Sequence, residues 1–462
     1  MNLNDEAAPK EVVDTLGERY ALGAQLGVGG QGAVYRVVGR PMVAKLVFAS
    51  GEQAQERVRR AIARVKRLPL DGISVARPLR ALAGQHVGYI MELMEDMEPM
   101  ERIAQLPAAL AGGDFLPWYI ETGGIERRLR RLAALADIFA QLHARGLTYG
   151  DTSPNNVFMS SDLAHDEVCL IDPDNLHDGR VPGAVYTPGY GAPELLAGKV
   201  SGTSSLTDAW SLAVLVFETL CVLHPFKGDL VEYGEPELLD SAARGELPWV
   251  DDPDETDNLT DRGLPRSLVL TRQLRELAQA CFGASRLDPL ARPGVTRWAE
   301  ALHTAADQTL TCSSCGGGFY LNLDLCPWCD AARPAFVLAN ILVQQRRGDG
   351  WEVVLNRSGR PQVVGRVAVQ AGRCSLLHGR HLDGAFGAGP WARLDLVDGA
   401  LRVRASGEAP DHWRVRGVER SRALSVVDEL IPLHQLMHAS IRSDEGKEVR
   451  RVVRFERVEG AR

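Results

Sequence analysis

Two groups of residues have types and spacing that could do chemistry. The first starts at Gly27-Val28-Gly29-Gly30-Gln31-Gly32-Ala33-Val34-Tyr35. Glycines spaced G-x-G-x-x-G let a backbone approach anionic oxygens closely, with amide N–H groups aimed at them. Read alone, the stretch is equally a structural hairpin. A dinucleotide-binding fingerprint would open a helix, but Val34-Tyr35-Arg36-Val37-Val38 continues as a strand. Val43-Ala44-Lys45-Leu46 follows. Its lysine can reach phosphates from the next strand, and the small Ala44 is expected to leave room for adenine. Such a lysine needs a carboxylate to hold it; Glu56 is the expected partner and Glu52 the reserve. The second group is Cys312, Cys315, Cys326 and Cys329, two C-x-x-C pairs. Four soft thiolates suit tetrahedral Zn²⁺, and a closed four-thiolate site has no open position, so the zinc is expected to be structural. The competing reading is four reduced cysteines in a loop.

Further along, the residues resemble a known family. The run from Leu142 to Phe158, with Asp151 and Asn156 spaced D-x-x-x-x-N, resembles the catalytic loop of protein kinases. The resemblance implies that Asp151 accepts the substrate hydroxyl proton and that Asn156 holds Mg²⁺. Val168-Cys169-Leu170-Ile171-Asp172 resembles the strand leading to a metal-binding aspartate, so Asp172 is expected to ligate Mg²⁺ as well. By the same resemblance Gly27, Gly29, Gly32, Val34, Ala44, Lys45, Met91, Glu92, Met94 and Phe158 surround ATP. Met91 would be the gatekeeper, Glu92 and Met94 the hinge, and Phe158 the floor of the pocket. Ala192-Pro193-Glu194 resembles the end of an activation segment, with Arg292 the structural partner of Glu194 and Asp208 the brace of the catalytic-loop backbone.

Some positions depart from that pattern. Tyr149-Gly150 stands where His-Arg usually precedes the aspartate, Ser153 replaces a lysine, and Pro173-Asp174 replaces Phe-Gly. Without the arginine, switching is expected not to depend on a phosphate docked from Thr187. Proline restricts the backbone, so the inactive flip of this element should be hindered. Two rival functions stay open: a small-molecule phosphotransferase of the aminoglycoside type, because Tyr-Gly-Asp resembles its His-Gly-Asp loop, and a nucleotide-binding pseudokinase scaffold.

The elements that must position these groups can be read from periodicity. Residues 20–49 and 75–94 read as strands, 52–68 and 126–145 as helices, and 211–223 as a buried core helix interrupted by Glu218. The expected fold is α+β: a bilobal protein-kinase fold, a zinc ribbon and a β-rich C-terminal domain. The expected boundaries are 1–16 for an N-terminal tail, 17–95 and 96–306 for the lobes, 307–332 for the ribbon and 333–462 for the last domain. A kinase followed by a four-cysteine ribbon is similar to a bacterial family of tellurite-resistance and stress or defence gene clusters. That resemblance implies a von Willebrand A-type protein and a metal-dependent protein phosphatase as partners, besides a protein substrate. Gly365-Arg366 and Ser375-Leu376-Leu377-His378 resemble a phosphothreonine-binding forkhead-associated motif at too short a spacing, against a generic β-sandwich or barrel for partner docking.

Composition agrees with a globular chain of 462 residues and net charge −8. Positions 337–462 hold 21 Lys+Arg against 15 Asp+Glu, +6, so the rest carries −14. No lysine or arginine block is dense, and Gly316-Gly317-Gly318-Phe319-Tyr320 carries no positive charge. Both facts point away from nucleic acid and toward protein docking or a structural role. The start, Met1 to Glu6, is acidic and has no apolar run, and no stretch is long enough to span a bilayer, so a cytoplasmic location is expected.

Overall fold

The computed structural model describes residues 9–30, 32–179, 186–384, 389–407, 409–417, 421–443 and 448–461. Residues 1–8 of the expected N-terminal tail lie outside the described residues. The chain divides into two compact units. One comprises residues 1–111, 131–265 and 272–299; the other comprises 112–130, 266–271 and 300–462.

The first unit opens with a sheet of β1 (Glu11–Val13), β2 (Arg19–Gly29), β3 (Gly32–Val37), β4 (Met42–Val47), β5 (Arg80–Ala81) and β6 (Gly88–Glu92), in the order β1-β2-β3-β4-β6-β5. The neighbours pair antiparallel. Strand side chains alternate between faces, and this sheet has two apolar clusters to match. Tyr20, Ala33, Tyr35, Ala44, Leu46 and Ile90 pack on one. Val43, Tyr89 and Met91 pack on the other with Ile62 of helix α1 (Glu52–Val65). Gly51, at φ 83, starts α1 from a left-handed backbone that a side chain would strain.

Below this sheet lie β7 (Met97–Pro99), β8 (Val157–Ser160) and β9 (Val168–Leu170), a three-stranded antiparallel sheet. The Ser205–Cys221 helix is the centre of its lobe and is buried almost throughout. A reciprocal Ser204–Thr207 capping box starts the helix, and Val222 ends it in a left-handed turn. Glu218, the charge inside this apolar run, accepts a hydrogen bond from the Tyr190 hydroxyl. Burial raises both groups above their ordinary pKa, and each is kept by the other.

The second unit contains a small hairpin, β10 (Thr309–Thr311) with β11 (Gly318–Tyr320), and a two-sheet sandwich. The sandwich strands are β12 (Phe336–Arg347), β13 (Gly350–Val353), β14 (Val363–Val369), β15 (Ser375–His378), β16 (Pro390–Val397), β17 (Ala400–Ala405), β18 (Trp413–Arg416), β19 (Ser421–Ala423), β20 (Asp428–Pro432), β21 (Ser440–Ser443) and β22 (Val449–Val458). One sheet runs β13-β12-β22-β21-β18-β19 with β14 also on β12; the other runs β15-β16-β17-β20. Inward residues of both sheets, among them Ile341, Val367, Leu394, Val403, Trp413 and Ile441, form one core. The hairpin shares a second cluster with the base of the sandwich through Leu310, Phe319, Phe336 and Ala368. The Gly365-Arg366 and Ser375 echo does not gather into a site. Arg366 reaches across its strand to Asn340 (3.4 Å), and the buried Ser375 hydroxyl donates to the Ala368 carbonyl (2.7 Å). Here a glycine, an arginine and a serine serve the sandwich's own packing. No helix among the described residues is long and apolar enough to cross a membrane.

Candidate active site and metal centre

The loop between the Gly124–Ala144 helix and β8 is held by Asp208, which is buried near the start of the Ser205–Cys221 helix. The Tyr149 and Gly150 amides each donate to it at 2.9 Å, and His143 Nε2 lies 3.0 Å away. Gly150 has φ 90, and a Cβ there would come within 3.1 Å of Thr203. Glycine is therefore the residue this turn favours, and an arginine there would have to adopt a strained backbone and displace Thr203 slightly. The Tyr149 hydroxyl donates to the Ile171 carbonyl, tying the loop to the end of β9. Burial, then the Asp172 and Asp151 charges, push that phenol well above its ordinary pKa, so it stays a donor.

Asp151 is buried and engaged on both oxygens. Asn156 Nδ2 donates to Oδ2 at 3.1 Å and to the Asp151 carbonyl at 2.9 Å, while Thr187 Oγ1 donates to Oδ1 at 2.8 Å. With its nitrogen turned inward, Asn156 keeps its amide oxygen for a hard cation. Thr187 is the residue sequence reading left out of this site; its hydroxyl orients the Asp151 carboxylate. The Glu194–Arg292 pair has two bonds of 2.9 and 3.0 Å, buried, with the guanidinium 4.9 Å over Trp210. That scaffold contact, like the Asp208 brace, is one the sequence anticipates.

Above the loop, Lys45 Nζ donates to Asp172 Oδ1 at 2.6 Å and to Asp174 Oδ2 at 3.1 Å. Burial pulls its ammonium down, but the charges of Asp174 and Asp172 overcome it and hold the pKa above the ordinary lysine value. Burial, only partly offset by Lys45, raises Asp174. Asp172 sits at φ 55 and Pro173–Asn175 forms a tight 3-10 turn, so the chain doubles back and places both aspartates at one lysine.

Two expectations about this region need correction. Glu56 is not the partner of Lys45; it is half-exposed and pairs with Arg60 at 3.1 Å. The inward stripe of α1 is Val58, Ile62 and Val65, and Glu56 lies two residues before Val58, roughly 200° around the helix. Ala44 does not share the face of Lys45. Alternation places Val43, two residues before the lysine, on that face with Val34, Met91, Met94 and Ile171, while Ala44 packs on the other side with Ala33 and Ile90. The i, i+2 rule alone, applied to Lys45, would have found Val43.

The glycines divide by task. A Cβ on Gly32 would fall 2.3 Å from the Leu46 carbonyl, so this glycine lets β3 lie against β4. Gly27 and Gly29 have open space around them. Phe158 is half-buried on β8, paired across to Cys169. Glu92 ends β6 exposed, opposite Met42.

The sulfurs of Cys312, Cys315, Cys326 and Cys329 lie within 4.8 Å of one another, with 3.6 Å between Cys312 and Cys329 and 3.7 Å between Cys315 and Cys326. A disulfide needs about 2.05 Å, whereas a tetrahedron with bonds of about 2.3 Å has edges of about 3.8 Å. The Ser314 and Gly317 amides point at the Cys312 and Cys315 sulfurs (3.4 Å each), as thiolates require. The donor set therefore fits one tetrahedral metal ion. Trp328 seals one side with its indole N–H on the Gly318 carbonyl (2.8 Å).

Comparison with known proteins agrees with this geometry. The family model described as Protein kinase domain matches residues 20–300. CBL-interacting protein kinase 4 of Oryza sativa subsp. japonica is 29% identical over 205 residues, 41% of this chain and 44% of that protein. Calcium/calmodulin-dependent protein kinase type 1 of Macrobrachium nipponense is 29% identical over 158 residues, 32% and 44% of the two chains. CBL-interacting protein kinase 20 of Oryza sativa subsp. japonica is 26% identical over 267 residues, 52% and 55%. The chain thus spans about half the length of these relatives.

Proposed function

The chain belongs to the protein kinase domain family, matching it over residues 20–300, and we propose that it transfers the ATP γ-phosphoryl group to a serine or threonine hydroxyl of a protein. The observation that carries this is the convergence of Lys45, Asp172, Asn156 and Asp151, with Thr187 on the aspartate. A kinase domain implies ATP and Mg²⁺. Asp172 and the Asn156 amide oxygen would hold the metal, hard oxygens for a hard cation. When bound, Mg²⁺ neutralises charge developing on the phosphates. Lys45 holds phosphate oxygens. Asp151, locked by Asn156 and Thr187, accepts the proton of the acceptor hydroxyl and orients its oxygen in line. Val34, Val43 and Met91 offer the apolar wall a base requires.

The four thiolates would hold a structural Zn²⁺ that fixes the β10–β11 hairpin to the sandwich core. We read the first lobe as extending back from 17–95 to take in β1, whose Val12 packs in its core, the second as 96–306, the ribbon as 307–332 and the sandwich as 333–462, the last a protein-docking module. The stress or defence setting, and the von Willebrand A-type and phosphatase partners, rest on the resemblance of a kinase–ribbon order to that bacterial family. Purified protein incubated with radiolabelled ATP, Mg²⁺ and a generic protein acceptor tests the main reading. Label on serine or threonine that Asp151→Ala removes supports it. ATP binding without any transfer to protein, under conditions where small hydroxyl acceptors are labelled, overturns it.

A further inference from the structure

We propose that Asp174 is the positioning residue for Lys45, standing in for the glutamate that α1 does not supply; this rests on the kinase reading above. The argument begins with a conflict of duties. Lys45 bonds two carboxylates, Asp172 at 2.6 Å and Asp174 at 3.1 Å. Asp172 is the residue whose family role is to face the metal, and a carboxylate drawn to a divalent cation is a poor partner for an ammonium. A second carboxylate must then keep Lys45 in place while phosphates arrive.

Helix α1 cannot provide it. Glu52 is exposed in its first turn, and Glu56 is half-exposed on Arg60. Asp174 has the required properties. It is mostly buried, it lies on the Lys45 side of the sheet, and the 3-10 turn after Asp172 delivers it there. Arg64, from the inner end of α1, donates to its carbonyl at 3.4 Å, so the helix grips the backbone that carries the aspartate. The lysine also lies 5.8 Å from the centroid of the Tyr89 ring, which limits its swing on the far side. One oxygen of Asp174, Oδ1, is buried and makes no close hydrogen bond among the described residues, with the Tyr89 hydroxyl the nearby donor to this carboxylate. A buried carboxylate with so few partners is a strong acceptor for the ammonium that reaches it.

A consequence is that control of this site passes from α1 to the Asp172–Asn175 turn. Rotation of α1, which would break a lysine–glutamate pair directly, reaches the lysine–Asp174 pair only through Arg64 and this turn. Movement of the turn breaks the pair and misplaces the metal-facing Asp172 in one step.

The test uses the full chain as wild type, Asp174→Asn, Asp174→Glu and Glu56→Gln, each checked for native melting, with Asp174→Ser in reserve should the asparagine fail to fold. Lys45 reactivity toward an amine-acylating reagent is read by mass spectrometry. ATP affinity, KM for ATP and kcat are measured across a Mg²⁺ titration. Loss of one charged hydrogen bond corresponds to about ten- to a hundredfold. Asp174→Asn is expected to speed Lys45 acylation and to raise the ATP Kd and KM within that range, with a smaller fall in kcat. Asp174→Glu should recover part of the loss, and Glu56→Gln should stay within about twofold of wild type. Unchanged acylation and ATP affinity in Asp174→Asn, or an equal loss in Glu56→Gln, would overturn the proposal. So would an Asp174→Asn defect cured by excess Mg²⁺, which would make Asp174 a metal ligand. If wild type transfers no phosphate, the kinase reading fails separately, because acylation of Lys45 still reports whether Asp174 governs it.

Discussion

Asp174 and Asp307 are both largely buried aspartates beside a cation, and they behave in opposite ways. Asp307, at the end of the Val295–Ala306 helix, accepts two bonds from Arg380 Nη2 (3.0 and 2.8 Å) and lies 2.8 Å from His381 Nε2. His381 Nδ1 accepts the His378 amide, which leaves Nε2–H to donate to the carboxylate. Burial would raise Asp307, yet Arg380 and His381 hold it far below the usual carboxylate range. Asp174 shares one lysine with Asp172, leaves an oxygen without a close hydrogen bond among the described residues, and is raised. At one site a guanidinium and a neutral imidazole together fill a single carboxylate; at the other, two carboxylates share one ammonium. The saturated cluster is built for rigidity. The unsaturated one holds unspent electrostatic capacity, and a site that must admit phosphates and a metal needs that capacity.

The sharpest way to break this contrast is at the most saturated centre of all. Cys326→Ser should remove about one zinc per chain, read by elemental analysis, and cost several kcal/mol of unit stability in thermal melts. Retained zinc or an unchanged melt would show that the thiolates are not the staple. Next in size, Asp151→Ala should lower phosphotransfer by about a thousandfold with a melting temperature within about 2 °C of wild type; a large stability loss would show this site to be structural as well. Asp307→Ala should do the reverse, destabilising by about 3 kcal/mol because Arg380 and His381 are left buried without their anion, with little change in ATP affinity. Thr187→Val should cost about tenfold in kcat through a looser Asp151, Thr187→Ser should recover it, and neither should move melting appreciably.

The smallest expected effect is a pH signature. Asp307 is depressed, so its stabilisation is complete above the unfolded carboxylate pKa near 4 and fades only as pH falls below that toward its folded value. Asp174 is raised, so its burial burdens the fold at neutral pH and is relieved as pH falls through its folded pKa toward about 4. As pH falls from 7 toward about 4, Asp174→Asn should therefore flatten the pH dependence of stability of its unit, and Asp307→Asn should leave that slope nearly as it was. Chemical denaturation at each pH reads both.

Legibility followed the length scale of the constraint. Short-range patterns were readable: the D-x-x-x-x-N loop, the two C-x-x-C pairs, the buried Ser205–Cys221 helix, and the Glu194–Arg292 pair through its family resemblance. Errors came where a face had to be chosen. The small Ala44 is expected to leave room for adenine, whereas strand alternation puts Val43 beside Lys45. Glu56, expected from the helix after the lysine, is turned outward by the apolar stripe of α1 itself. The carboxylates that do meet Lys45, Asp172 and Asp174, are 127 and 129 residues away in sequence, and only a left-handed Asp172 and the turn after it bring both to one lysine.

By itself, the sequence determined which groups are available: one lysine after a glycine-rich strand, an aspartate and asparagine at fixed spacing, a D-P-D turn, and four thiols. Those are local facts, set by covalent spacing and by the few conformations glycine and proline permit. Only the tertiary structure decided how the groups pair. A buried charge takes whichever opposite charge the packing delivers, because leaving it alone in a medium of low polarity costs more than any local preference can offset.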